Sequence, residues 1–220
     1  MKFWTTQTEN VIDIILNHGT YKPDFNLSDG FGGSNMKSVY DEMLNIYCSK
    51  NNIDCKGLVF GITNLNDEPI ENIEQFKSYF IDNSVFWDSI THAGEEYAIL
   101  EIEVPDEIDL IPLYFQDFII LGMRSLRNND FQNYVKPQLA DIKYQDFYND
   151  LIIAQTKGWI DDTGFDLGIS TFNKIVQAHI HQIPIEYIKG VYGTYDYESE
   201  TEYLLGKKAI QLSEYINSKQ

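Results

Sequence analysis

Two histidines one residue apart, His179 and His181, lie in the stretch V-Q-A-H-I-H-Q-I-P-I-E-Y-I-K-G from Val176 to Gly190. On an extended chain successive side chains alternate between faces, so Gln177, His179 and His181 share one side and Val176, Ala178 and Ile180 the other. His-x-His aims two imidazoles the same way, about 6 to 7 Å apart at the Cα atoms. That suits a pair of zinc or iron ligands, but a metal site needs at least a third protein ligand. His92, Cys48 and Cys55 come from separate parts of the chain with no supporting spacing. The polar row therefore reads as a cleft edge or as a solvated strand face, and the metal reading is the weakest.

Other chemistry-bearing residues are sparse. Arg124 and Arg127, the only arginines, are three apart. That spacing makes them neighbours on a helix, either a clamp for phosphate or carboxylate or partners for nearby acids. The loop D-G-F-G-G-S-N, residues 29–35, has glycines that leave backbone N–H groups open to a phosphate. It lacks a following Gly-Lys-Ser/Thr and is not G-x-G-x-x-G, so it reads as a mobile loop or a flap over a ligand. No Gly-x-Ser-x-Gly and no His-Glu-x-x-His marks a hydrolase. Cys48 falls in an apolar helical pattern, the setting of a buried thiol.

Charge narrows the partners. The 220 residues carry 34 Asp and Glu against 16 Lys and Arg, a net charge of −18. Nucleic acid is bound by Lys and Arg displacing counterions from phosphates, so duplex nucleic acid is a poor partner. A small anionic cofactor in a local pocket, or a basic protein partner, stays open. No apolar run approaches the roughly 18 residues that span a bilayer. The opening M-K-F-W-T-T-Q lacks the apolar core of a signal peptide, so a cytoplasmic protein without membrane contact is expected.

The elements that must position these residues follow from periodicity. Phe3 to Thr5 reads as a strand. Thr6-Gln7-Thr8-Glu9 has capping-box spacing ahead of a helix through Val11, Ile12, Ile15 and Leu16, closed by His18 and Gly19. Helices are expected over 38–50, 71–81, 113–127, 144–157 and 204–219. Strands are expected over 57–63 and 97–105, with a short extended piece at 85–87 and a Tyr-rich acidic edge over 192–203. This order predicts an α+β domain over 1–191, a mixed, mostly antiparallel sheet flanked by helices, with 192–220 packed on it or extending from it.

The combination of F-W-T-T-Q, A-I-L-E-I-E-V-P, Gly158-Trp159 and V-Q-A-H-I-H-Q-I-P-I-E-Y-I resembles the bacterial family catalogued as domain of unknown function 3841. Where that family has a tryptophan-rich segment, between Lys37 and Thr63, this chain has L-V-F-G-I-T. The opening strand, the helix ending at a Gly, the Val-Pro strand and the late strand also resemble ADP-ribosyltransferase-like folds. That second resemblance implies a cleft for NAD, a first-strand His or Arg at the ribose, and a late Glu that stabilises the oxocarbenium-like centre as nicotinamide leaves. Carried onto this chain, the late Glu falls on Gln177 and the first-strand residue near Trp4, with Thr6 beside it. The resemblance thus implies Trp4 stacking on a ring, Thr6 and Gln177 at ribose hydroxyls and His179 near the acceptor. The protein would be a toxin or conflict-system effector that modifies a macromolecule. A neutral amide stabilises positive charge less than a carboxylate does. The alternative is a non-catalytic interaction module on a degenerate version of this fold, binding a basic protein.

Overall fold

Strand β1 (Lys2–Thr8) runs through the middle of the sheet, with neighbours on both edges. The computed structural model describes residues 1–27, 34–65, 68–82, 96–108, 110, 113–114, 175–196 and 201–219. After β1 come α1 (Glu9–His18), β2 (Thr20–Tyr21), a 3-10 turn at Phe25–Leu27, and α2 (Ser34–Asn51). Then follow β3 (Val59–Leu65), β4 (Glu68–Pro69), α3 (Ile73–Asp82), β5 (Tyr97–Glu103) and β6 (Leu113–Tyr114). The chain closes with β7 (Ile175–Ile180), β8 (Ile183–Pro184), a 3-10 turn at Ile185–Tyr187, β9 (Ile188–Gly193), β10 (Tyr195–Asp196), β11 (Thr201–Glu202) and α4 (Lys207–Asn217).

The main sheet has the order β6-β7-β3-β1-β5-β9, with β4 added to β3. Two small ribbons, β2–β8 and β10–β11, stand beside it. Every strand pair among the described residues is antiparallel; the one parallel contact is an isolated bridge, Asp24 to Lys56. The architecture is α+β, as expected, with a sheet more uniformly antiparallel than the mixed one predicted. Leu113 and Tyr114, expected to open a helix, are strand residues paired with Val176 and Gln177. The rest of that helix, the helix over 144–157, the 85–87 piece, His92, Arg124, Arg127, Gly158 and Trp159 lie outside the described residues.

One face of the sheet carries the core. Phe3, Leu100, Ile102, Ala178, Ile180 and Val191 pack with Ile12 and Ile15 of α1 and with Ala209, Leu212 and Ile216 of α4. Burying a large aliphatic side chain is worth roughly 1.5–3 kcal/mol, so Leu212 and Ile216 help to hold α4 against the sheet. Its direction is fixed by one carboxylate. Glu9 Oε2 accepts from the Lys208 N–H and Oε1 from the Ala209 N–H, both at 2.8 Å, satisfying two free donors of the helix start.

That use of Glu9 revises the expected capping box. β1 extends to Thr8, so Thr6 stays in the ladder opposite Ile99. Thr8 becomes the N-cap of α1, its hydroxyl accepting from the Val11 N–H at 3.3 Å. The other end is as predicted: Gly19 adopts φ 75°, and its N–H bonds to Ile15 O at 2.8 Å.

The opposite face is set by register. Trp4 lies between Ile62 and Glu101, Ile62 opposite Gln177, Phe60 opposite His179 and Ile99 opposite Tyr192. Directly opposed residues share a face, so Trp4, Gln177 and His179 come to one side of the sheet.

Candidate ligand-binding cavity

β1 pairs with β5 along its whole length, Lys2↔Glu103 to Thr8↔Tyr97, but with β3 only at Trp4↔Ile62. Beyond that pair a side chain replaces the ladder: the Thr5 hydroxyl donates to Phe60 O at 2.8 Å. Gln7 Nε2 in turn donates to Thr5 Oγ1 at 2.8 Å. Gly61 lets the strands close up at their last point of approach, since a Cβ there would fall 2.6 Å from Trp4 O and 2.4 Å from the Phe3 ring.

Along this seam lies a cavity of about 350 Å³. β1 contributes Trp4, Thr5, Thr6 and Gln7; the β3 side contributes Leu58 to Ile62; β7 contributes Gln177. Tyr21, Pro23, Tyr40 and Phe76 complete the wall. No lining residue among the described ones carries a charge. Burial raises the phenols of Tyr21 and Tyr40 above their ordinary range, so both keep their protons at neutral pH. The volume is at the low end of the roughly 300–1,000 Å³ of small-molecule sites, room for a nucleoside-sized group. The chemistry on offer is aromatic surface with neutral hydroxyl and amide hydrogen bonds.

The sequence-predicted residues fall into distinct places. Trp4 is fully buried; its Nε1–H donates to Ile70 O at 2.9 Å. Its ring stacks on Phe76 at 5.4 Å between centroids, with Tyr192 at 6.1 Å. Trp4 is thus a fixed wall whose stacking partner is Phe76. Thr6 lines the cavity, and its hydroxyl is buried with no hydrogen-bond partner. Asp13 Oδ1 also lacks a hydrogen bond but lies 2.5 Å from Lys208 Nζ in an ion pair. Among the described residues Thr6 is therefore the buried polar side chain left uncompensated.

Gln177 and His179 are 5% and 1% exposed, so the solvated-face reading of the row does not hold for them. Gln177 lines the cavity, while His179 lies beside it with Nε2 3.0 Å from Gln177 Nε2 and its ring edge-on to Phe60 at 4.8 Å. An amide nitrogen only donates, so the imidazole Nε2 accepts and the ring proton sits on Nδ1. The amide keeps Oε1 and one N–H for other partners. His181 parts from the row, because β7 ends at Ile180. Its Nδ1 lies 3.1 Å from the Tyr47 hydroxyl on α2. Burial, helped by the Lys22 charge, lowers its pKa. The two imidazoles thus engage different elements, and no cluster of three or more His, Cys, Asp or Glu positioned for a metal occurs among the described residues.

Sequence reasoning missed Thr5, Gln7 and the Tyr21, Tyr40 and Phe76 wall. The signal for the first two was present: T-T-Q-T puts polar residues on both faces of a strand that turns out to be central. It also missed Glu101, 9% exposed on the Trp4 face of the sheet. Lys2 Nζ lies 2.8 Å from its Oε1, and the Tyr192 hydroxyl donates to Oε2 at 2.9 Å. Burial and then this carboxylate push Tyr192 up to about 12. Glu101 is a satisfied ion pair and does not line the cavity.

No family model, no curated protein and no solved structure matches this chain. No helix of the described residues is long and apolar enough to cross a membrane.

Proposed function

We propose that the seam cavity binds the uncharged, ring-bearing end of a nucleotide such as NAD or ADP-ribose, in a protein of ADP-ribosyltransferase-like character. One observation carries this reading: Trp4, Thr6 and Gln177, from opposite ends of the chain, line the same cavity. The orphaned Thr6 hydroxyl is a second support, since a buried hydroxyl without a partner costs about 1–3 kcal/mol and, turned into the cavity, it would find one in a ribose hydroxyl. The fit to NAD is partial. The neutral aromatic lining suits a nicotinamide-ribose or nucleoside group, whereas no cation among the described cavity residues stands ready for the pyrophosphate.

Bound there, NAD would supply a glycosidic bond whose cleavage releases nicotinamide. The chain's own part is to orient the ribose through Gln177 and Thr6 and to keep water from it with Trp4, Phe60 and Phe76. His179 acts through Gln177: its hydrogen bond holds the amide in one orientation. Among the described residues no carboxylate lines the cavity to stabilise positive charge developing at the ribose carbon. This favours a second reading, in which the site binds nucleotide without transferring it and the −18 charge engages a basic protein.

Gln177→Ala separates these readings from error. Nucleotide binding should be lost in calorimetry while circular dichroism shows a folded chain. Full binding by Gln177→Ala would remove the assignment. Nicotinamide release by the unaltered protein, followed chromatographically, decides between transferase and binding module.

A further inference from the structure

Cys48 and Cys55 are placed for chemistry that the cavity does not use. Their Sγ atoms lie 3.1 Å apart, and both residues are half-buried and free. The approach is built by the turn between them. α2 ends at Asn51, whose Nδ2 donates to Tyr47 O at 3.2 Å. Asn52 then adopts φ 52°, a left-handed conformation that asparagine tolerates. The Ile53 N–H bonds back to Cys48 O at 3.0 Å, which folds the chain over so that Cys55 comes beside Cys48. The far side is anchored as well: Lys56 O accepts from the Phe25 N–H at 2.9 Å, and Gly57 abuts the Pro23 backbone.

We propose that Cys48 and Cys55 form a reversible oxidation site that closes to an intramolecular disulfide in exchange with a low-molecular-weight disulfide such as oxidised glutathione. Closing it needs a sulfur shift of about 1 Å, from 3.1 Å to the roughly 2.05 Å of a bond. The Cys48 thiolate attacks one glutathione sulfur, the glutathione S–S bond breaks, and one glutathione thiolate leaves. That thiolate takes the Cys55 proton. The Cys55 sulfur attacks the Cys48 sulfur, the mixed disulfide breaks, and the second glutathione leaves as a thiolate that takes up the proton Cys48 had released to solvent. Two protein thiols are oxidised while one glutathione disulfide is reduced to two thiols.

The order follows from the site. Burial, then the hydrogen bond and charge of Cys48, pushes the Cys55 thiol up to about 12, so it keeps its proton and the first attack falls to Cys48. The bond would staple the end of α2 to the lead-in of β3, three residues before Leu58 of the cavity wall. The proposal stands apart from the nucleotide reading, because it uses none of the cavity residues.

The test is mass spectrometry of the full chain, unreduced, after equilibration with oxidised glutathione. The expected product is monomeric, lighter by two hydrogens, without free thiols, and carries no glutathione. Cys55→Ser should stop at a glutathione adduct on Cys48, and Cys48→Ser should react far more slowly. Wild-type chain that ends with two glutathione adducts, as disulfide-linked dimers, or unchanged in mass would overturn the proposal. The wild-type outcome decides even if a serine variant fails to fold.

Discussion

Replacing Thr6 by valine should make the ligand-free protein more stable and the ligand-bound protein weaker. Valine keeps the branched shape that suits β1 and removes a hydroxyl that is buried without a partner. An unsatisfied buried polar group costs about 1–3 kcal/mol, and the swap recovers part of this. A gain of about 1 kcal/mol would raise the melting temperature by roughly 2–4 °C in a chain of this size. If the hydroxyl is reserved for a ribose, the same change removes one hydrogen bond from the complex. That bond is worth about 0.5–1.5 kcal/mol, so affinity for NAD or ADP-ribose should fall roughly 2- to 13-fold. Thermal melting without ligand and calorimetric titration with it measure the two effects separately. A melting temperature lowered by Thr6→Val, together with unchanged affinity, would refute the reasoning: the hydroxyl would then serve the fold and not a ligand.

Glu9→Ala should lower stability by about 0.5–2 kcal/mol, the usual cost of a lost helix cap, and the amides of Lys208 and Ala209 should exchange hydrogen sooner than in the wild type. Unchanged protection at those amides would mean that packing alone orders α4. His181 has a lowered folded-state pKa, so below about pH 6.5 the unfolded chain takes up a proton that the folded chain refuses. Its contribution is therefore present above that pH and lost as pH falls. In urea denaturation, His181→Gln should lose less stability than the wild type between about pH 7 and pH 5; an equal loss would assign the acid sensitivity to carboxylates.

Much of the scaffold was legible because its periodicities are strong. Ala98, Leu100 and Ile102 give Tyr97–Glu103 one apolar face, and α1 is followed by its own closing glycine. The row Val176, Ala178, Ile180 gave the buried face correctly. The polar side of that row fits a cleft edge and a solvated face alike, because alternation reports which side chains share a face, not what covers it. Gln177 and His179 are buried polar residues joined by a hydrogen bond, a pairing that hydropathy alone does not distinguish from a solvated edge. The cap moved from Thr6 to Thr8 because a central strand gains ladder bonds by running on, which local spacing does not register. The cavity was half legible. Trp4, Thr6 and Gln177 were singled out, but the seam exists only because β3 meets β1 at a single registered pair, a tertiary fact.

The most direct test of the nucleotide-binding claim is isothermal titration of the wild-type protein with NAD and ADP-ribose, repeated with Gln177→Ala. Saturable binding of either nucleotide by the wild type, lost in Gln177→Ala, is the result predicted. Heats indistinguishable from dilution for both nucleotides, at concentrations up to about 1 mM where even a weak complex of roughly −4 kcal/mol would half-fill, would contradict it.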